Sequence, residues 1–216
     1  MPPESTFYVR FVDERDASEL FSQVTEHLNS ENINYNTYTA TEIGLSDNLS
    51  HCAIDITDSH RHSVDDALLT LNIQAEYFVT SDWETRVSDS LAFLKDLYKI
   101  LQPTYVFGMH NWRTDRVESD ATPVPLPSPI SETTLDENRI HHPTWLMLFT
   151  PPMVEQYGEE WLLDLPADHI EELDDGSILL VVVSDISEYQ SDTEIAEYLN
   201  DRMEPLEDAF ETHKRS

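Results

Sequence analysis

Six consecutive aliphatic residues, Ile178 to Val183, constrain this chain more than any other feature. A run made only of Ile, Leu and Val, without polar alternation, reads as a central strand buried on both faces. Just before it, Asp174-Asp175-Gly176 supplies a turn whose Asp-Gly step tolerates positive φ, so His169 to Leu173 and Ser177 to Ser184 become the arms of a hairpin. Such an arm needs neighbours, and the flanking segments offer them. Trp145 to Phe149 reads as a strand with Trp145 in the core. Thr150 is placed as a helix N-cap with Pro151 at the first helical position, Met153, Val154 and Tyr157 on the apolar side, and Gly158 at the end. Trp161 to Leu165 is a short apolar turn closed by Pro166. A last helix has Ser191 and Glu194 as a capping box and Ile195, Leu199 and Met203 as its stripe; Pro205 interrupts it before Phe210, and the tail after Thr212 frays.

The first half carries similar signals. Phe7 to Val12 alternates as a strand, and Ala17, Leu20, Phe21, Val24 and Leu28 recur at helical spacing behind Asp16 as cap and Glu19 as third helical residue. Ile33 to Thr39 and Leu49 to Thr57 read as strands, the second with Cys52, Ile54 and Ile56 on one face, joined through a polar turn around Gly44 and Asp47-Asn48. Ser63 to Leu71 reads as a short helix and Gln74 to Thr80 as a strand. Ser81 and Glu84 then cap a helix with Val87, Leu91, Leu94, Tyr98 and Leu101 as its stripe and Pro103 as its stop, followed by a strand at Tyr105 to His110.

From Trp112 to Arg139 periodicity disappears and Pro123, Pro125, Pro127 and Pro129 alternate, which favours an extended surface loop. Both halves otherwise follow strand, helix, strand, strand, helix, with extra elements in the first. Short connections favour antiparallel pairing. The expected fold class is therefore α+β: a mainly antiparallel sheet with helices packed on it, in two βαββα-like halves, 1–111 and 140–216, joined by the proline-rich loop 112–139 into one compact domain.

Charge narrows the function. With 12 Lys plus Arg against 43 Asp plus Glu in 216 residues, the formal net charge is −31. A field of that sign opposes nucleic acid and anionic membranes, because counterion release requires cationic side chains to meet phosphates. The carboxylates avoid long runs, apolar stripes remain intact, and Lys95, Lys99 and Lys214 are the only lysines. Such a coat resembles that of cytosolic proteins from salt-in halophiles, where molar salt screens self-repulsion. Met1 to Ser5 lacks a basic segment followed by an apolar one, and no stretch is apolar enough to span a membrane, so a cytoplasmic location is expected.

Chemistry-bearing patterns are sparse. Cys52, the single cysteine, sits in an apolar run and reads as a small buried hydrophobe. Four glycines leave no dinucleotide fingerprint or phosphate loop, no Gly-x-Ser-x-Gly elbow occurs, and paired carboxylates such as Asp13 with Asp16 or Asp55 with Asp58 are uninformative among so many. No catalytic residue and no cofactor is expected. Nine histidines leave one enzymatic alternative: His60 and His62, with Asp55 or Asp58 nearby and His141 and His142 as further ligands, would make a metal-binding enzyme or sensor, although their spacing matches no helical zinc signature.

The stretch Thr144-Trp145-Leu146-Met147-Leu148-Phe149-Thr150-Pro151-Pro152-Met153-Val154-Glu155-Gln156-Tyr157-Gly158, continued by Leu162, Pro166-Ala167 and Leu173-Asp174-Asp175-Gly176-Ser177-Ile178-Leu179-Leu180, resembles the C-terminal half of immunity proteins of polymorphic toxin systems. The groups concerned are immunity protein 52 and the type VI immunity family. Phe93 to Tyr105, with Leu97-Tyr98 ahead of Pro103-Thr104-Tyr105-Val106-Phe107-Gly108, is similar to their helix and following strand. Together these segments span about half the chain; the N-terminal residues and the proline loop have no counterpart. The resemblance implies a non-enzymatic cytoplasmic protein that binds a cognate toxin domain and blocks its active site, with no catalytic residues to carry over. Exposed aromatics near the loop, Tyr105, His110 and Trp112, are then the expected partner-binding residues.

Overall fold

Period-two alternation builds the first half of the structure. In the computed structural model, which describes residues 5–58, 67–74, 83–112, 129, 131–183, 197–199 and 201–203, strand β1 (Ser5–Asp13) buries Phe7, Val9 and Phe11 on one side and turns Tyr8 and Arg10 to the other. Helix α1 (Ala17–Ser30) starts where Asp16 accepts a hydrogen bond from the Glu19 backbone N–H at 2.9 Å, and buries Leu20, Val24 and Leu28. Strands β2 (Tyr35–Thr37) and β3 (Glu42–Leu45), a 3-10 turn at Asp47–Leu49, β4 (Cys52–Asp58), β5 (Ala67–Gln74), helix α2 (Trp83–Leu101) and β6 (Tyr105–Trp112) follow. Their order across the sheet is β2-β3-β4-β5-β1-β6. The β1, β2, β3, β4 and β5 ladders are antiparallel. Thr104 N–H donates to Val12 O at 2.8 Å and Tyr8 OH reaches Met109 Sδ at 4.0 Å, so β6 also runs against β1.

Both helices cover the same face of this sheet. Ser90 of α2 meets His51 and Cys52 at the start of β4, which assigns Cys52, Ile54 and Ile56, with Leu69, Leu71 and Ile73 of β5, to the helix side. Alternation then sends Ala53 and Asp55 of β4, and Thr70 and Asn72 of β5, to the opposite face. A polar clamp ties α1 to the end of α2. The Arg15 guanidinium bonds both carboxylate oxygens of buried Asp13, the Gln23 side chain and the Leu101 carbonyl, while Gln23 donates to the Ile100 carbonyl.

The second compact unit, His110–Ser216 with Met1–Ser5, is distinct from the first, Thr6–Met109. It holds α3 (Glu132–Asp136), β7 (Leu146–Phe149), α4 (Pro151–Tyr157), α5 (Glu159–Leu163), β8 (His169–Glu172) and β9 (Ile178–Val181). Antiparallel ladders give the order β7-β9-β8, with every residue of β9 buried as the aliphatic run requires. Pro151 opens α4, and Gly158 at φ 95° closes it. Tyr157 packs edge-on against Phe149 at 5.4 Å and stacks on Trp161 at 6.1 Å; burial pushes its phenol pKa up. Residues 197–199 and 201–202 are helical, Leu199 and Met203 are buried, and Arg202 bonds Asp168 at 2.8 Å and the Pro166 carbonyl.

Every described element fits the α+β class, but three local expectations are corrected. Ala67 to Leu71 is strand, not helix: Leu69, Leu71 and Ile73 alternate with Thr70 and Asn72, and pairing on both sides, to β1 and β4, overrides the helical spacing of the leucines. Glu42–Leu45, expected as part of a turn, is a strand between β2 and β4. Within the stretch read as loop, Ser131 and Thr134 form a reciprocal capping box that starts α3. The expected caps Ser81 and Ser191, the strand residues after Gln74, Pro123, Pro125 and Pro127, and the segment from Pro205 lie outside the described residues.

Candidate functional site

Strand register assembles one polar row from four distant segments. On the face away from the helices, Arg10 of β1 stands opposite Thr70 of β5, Thr70 opposite Asp55 of β4, and Asp55 opposite Glu42 of β3. The neighbouring row is Tyr8, Asn72, Ala53, Gly44 and Asn36. Small residues at its centre keep the sheet floor low. Thr70, Asn72, Ala53 and Asp55 are half-buried, Glu42 is exposed, and the side chains of Thr70, Asn72, Asp55 and Glu42 make no hydrogen bond among the described residues.

Arg10 is the unusual member of this set. Its guanidinium lies 4.8 Å from the centroid of the Tyr8 ring, and its buried Nε donates to nothing among the described residues. Arg15, Arg139 and Arg202 each hold a carboxylate, of Asp13, Glu137 and Asp168 respectively; of the arginines with described side chains, Arg10 alone does not. An unmade buried hydrogen bond costs about 1–3 kcal/mol. Stacking on Tyr8 returns only about 0.5–1 kcal/mol. At the far end of the row, Glu42 and Asp55 are like charges directly opposite each other, an arrangement that destabilises a bare sheet. From Asp16 to His60 the chain carries eight carboxylates and no Lys or Arg to offset them.

Beyond Glu42, the β2–β3 turn presents Tyr38, 66% exposed. Its backbone N–H donates to Glu42 O at 3.0 Å, and its ring rests on Gly44, where an added Cβ would come within 2.6 Å of ring Cε2. The absent side chain at Gly44 is therefore what lets the ring lie flat against the strand.

A second cluster looks chemical but is sealed. His51 Nε2 is 2.9 Å from Ser90 Oγ, and Cys52 Sγ is 3.9 Å from the same oxygen, with all three residues buried. Burial pushes the Cys52 thiol up to about 12, with the Ser90 contact working weakly the other way, so the sulfur stays protonated and unreactive at neutral pH. The cluster joins the start of β4 to α2, in line with the small-hydrophobe reading of Cys52.

Among the expected partner-binding residues, Tyr105 is corrected. It is 0% exposed and stacks with Phe107 at 5.7 Å, two residues along the same face of β6, so it is a core residue rather than a surface anchor. His110 and Trp112 belong to the backbone of β6, and their side chains lie outside the described residues. His60 and His62 also lie outside them. His141 and His142 are exposed with ring centroids 6.1 Å apart, and His141 Nε2 sits 3.1 Å from Ser131 Oγ at the cap of α3. Among the described residues no three His, Cys, Asp or Glu side chains are grouped to hold a metal. Trp145 is buried, as expected.

Sequence reasoning missed Arg10, Thr70, Glu42, Asn72 and Tyr38. Only the alternation Tyr8, Arg10 on the polar side of β1 signalled the site locally; the rest depends on register. No helix among the described residues is long and apolar enough to cross a membrane. Comparison with family models, curated proteins and solved structures found no match to this chain.

Proposed function

We propose that this chain is a non-enzymatic protein-binding module of the immunity type, which neutralises a cognate toxin domain in the cytoplasm and wears an acidic surface suited to molar salt. The observation that supports the binding role is the polar row on the face of the first sheet opposite α1 and α2, where a stacked arginine and two acids, none of them paired among the described residues, stand in fixed register. A sheet face pre-organises such groups, so little side-chain or loop ordering is needed on association. Tyr38 adds an exposed aromatic at the rim, of the type that anchors interfaces. In molar salt the Debye length falls to about 3 Å, so long-range attraction of a basic toxin is screened and contacts of this kind must supply the affinity.

The toxin as partner comes from the resemblance of Thr144 to Gly158 and the following hairpin to immunity proteins. Deleting the gene is expected to be lethal while an adjacent toxin gene is intact and harmless once both are removed. A harmless single deletion beside no toxin-like gene refutes the immunity reading.

A further inference from the structure

We infer that the row Arg10–Thr70–Asp55–Glu42 is a dipolar docking strip that takes, from the partner protein, one carboxylate at Arg10 and one ammonium or guanidinium group at Asp55 and Glu42; this rests on the binding role proposed above. Adjacent strands lie about 4.8 Å apart, so the backbone positions of Arg10 and Asp55, two strands apart, are separated by about 10 Å. Thr70 stands between them, and they form no ion pair with each other. The strip therefore reads positive, neutral, negative, negative across the sheet, with none of these charges paired among the described residues.

The chemistry of the occupant follows from the two ends. Arg10 is half-buried with its Nε sealed and unbonded, so the group it offers a partner is the pair of terminal guanidinium nitrogens, which can grip a carboxylate through two parallel hydrogen bonds. Tyr8 holds the plane of that group by stacking, which limits the angle of approach. Asp55 and Glu42 would repel a phosphate or any dense anion arriving along the same row, and no Lys or Arg between Asp16 and His60 offsets them. A cation there settles both acids at once. A surface bearing one acidic and one basic side chain about 10 Å apart matches the strip charge for charge. A uniformly basic surface leaves Arg10 facing a like charge. A nucleic acid leaves Asp55 and Glu42 facing one.

The test uses the full chain in molar KCl and reads the Arg10 Nε–H signal by nitrogen-15 NMR, assigned by its loss in Arg10→Lys. The probe is a blocked tripeptide, acetyl-Asp-Ala-Lys-amide, whose carboxylate and ammonium lie on one side of an extended backbone; sodium acetate and the acetyl-Asp-Ala-Ala-amide analogue carry the carboxylate alone. The dipolar peptide is expected to shift the signal saturably, with a dissociation constant about tenfold below either control. Asp55→Asn should erase that advantage while leaving the acetate response intact. Equal responses to all three probes, no saturable shift, or an advantage that survives Asp55→Asn overturns the dipolar strip. If the strip passes but deletion of the gene proves harmless, the immunity reading falls and the dipolar site stands. If deletion is lethal and the peptide leaves Arg10 unmoved, the partner docks elsewhere.

Discussion

Replacing Arg15 by alanine removes the group that keeps a carboxylate tolerable inside the first unit. Asp13 is 3% exposed, and its Oδ1 receives the Arg15 backbone N–H at 2.9 Å and Nε at 2.7 Å, while Oδ2 receives Nη2. Only the backbone donor survives the substitution. The hydrogen bonds that Arg15 donates to Asp13 also hold the guanidinium pKa above its ordinary value, so Arg15 stays charged. Breaking a buried pair by deleting one partner costs about 3–5 kcal/mol. Because the Arg15 side chain is 30% exposed and water can reach the vacated site, the lower end applies, about 3 kcal/mol. Against a typical total of about 5–15 kcal/mol, that is a large fraction. Urea unfolding followed by circular dichroism in molar KCl measures it. The same reasoning requires Asp13→Asn combined with Arg15→Ala to be more stable than Arg15→Ala alone, since the unpaired charge is then gone. A loss under about 1 kcal/mol for Arg15→Ala, or a double variant no more stable than that single one, refutes the claim that the clamp exists to compensate a buried charge.

Other expectations follow from single features. Gly158→Ala should cost about 1–2 kcal/mol through backbone strain at φ 95° alone, because the nearest atom to an added Cβ, Trp161 Cβ, is a comfortable 3.9 Å away; an unchanged urea midpoint counts against it. Cys52 should resist iodoacetamide in the folded protein at pH 8 and react once urea unfolds it, whereas fast labelling of the native state contradicts its burial. The unfolded thiol ionises near its ordinary value of 9.0 and the folded one only at about 12, so the unfolded state loses its proton first and the thiol's contribution to stability falls as pH climbs through that window. Dialysis from molar KCl into dilute buffer should abolish the circular dichroism of the fold through repulsion within a chain of net charge −31; a fully folded chain in dilute buffer disproves salt adaptation.

Local rules made much of the second unit readable. The Asp-Gly turn and the aliphatic run define β8 and β9, and Thr150, Pro151 and Gly158 bracket α4, because each signal lies within a few residues of its effect. Asp16 likewise announced α1. The first unit yielded less, for a physical reason visible in β5. Leu68, Leu69 and Leu71 fit a helix as well as a strand, and only two long-range ladders decide between them. With β5 and β3 unread, the row from Arg10 to Glu42 could not be assembled, since its members come from four segments that register alone aligns. Tyr105 failed in the opposite direction. An aromatic beside a loop looked exposed, but sharing a face with Phe107 on β6 carried it into the core.

Affinity capture in molar salt, from cells that make the protein, compares the wild-type chain with an Arg10→Ala, Asp55→Ala double variant of unchanged circular dichroism. The account predicts one stoichiometric protein partner on the wild-type chain and its loss from the variant. Equal retention by both chains, or no partner on either, contradicts the claim that the face of the first sheet opposite α1 and α2 is a protein-binding surface.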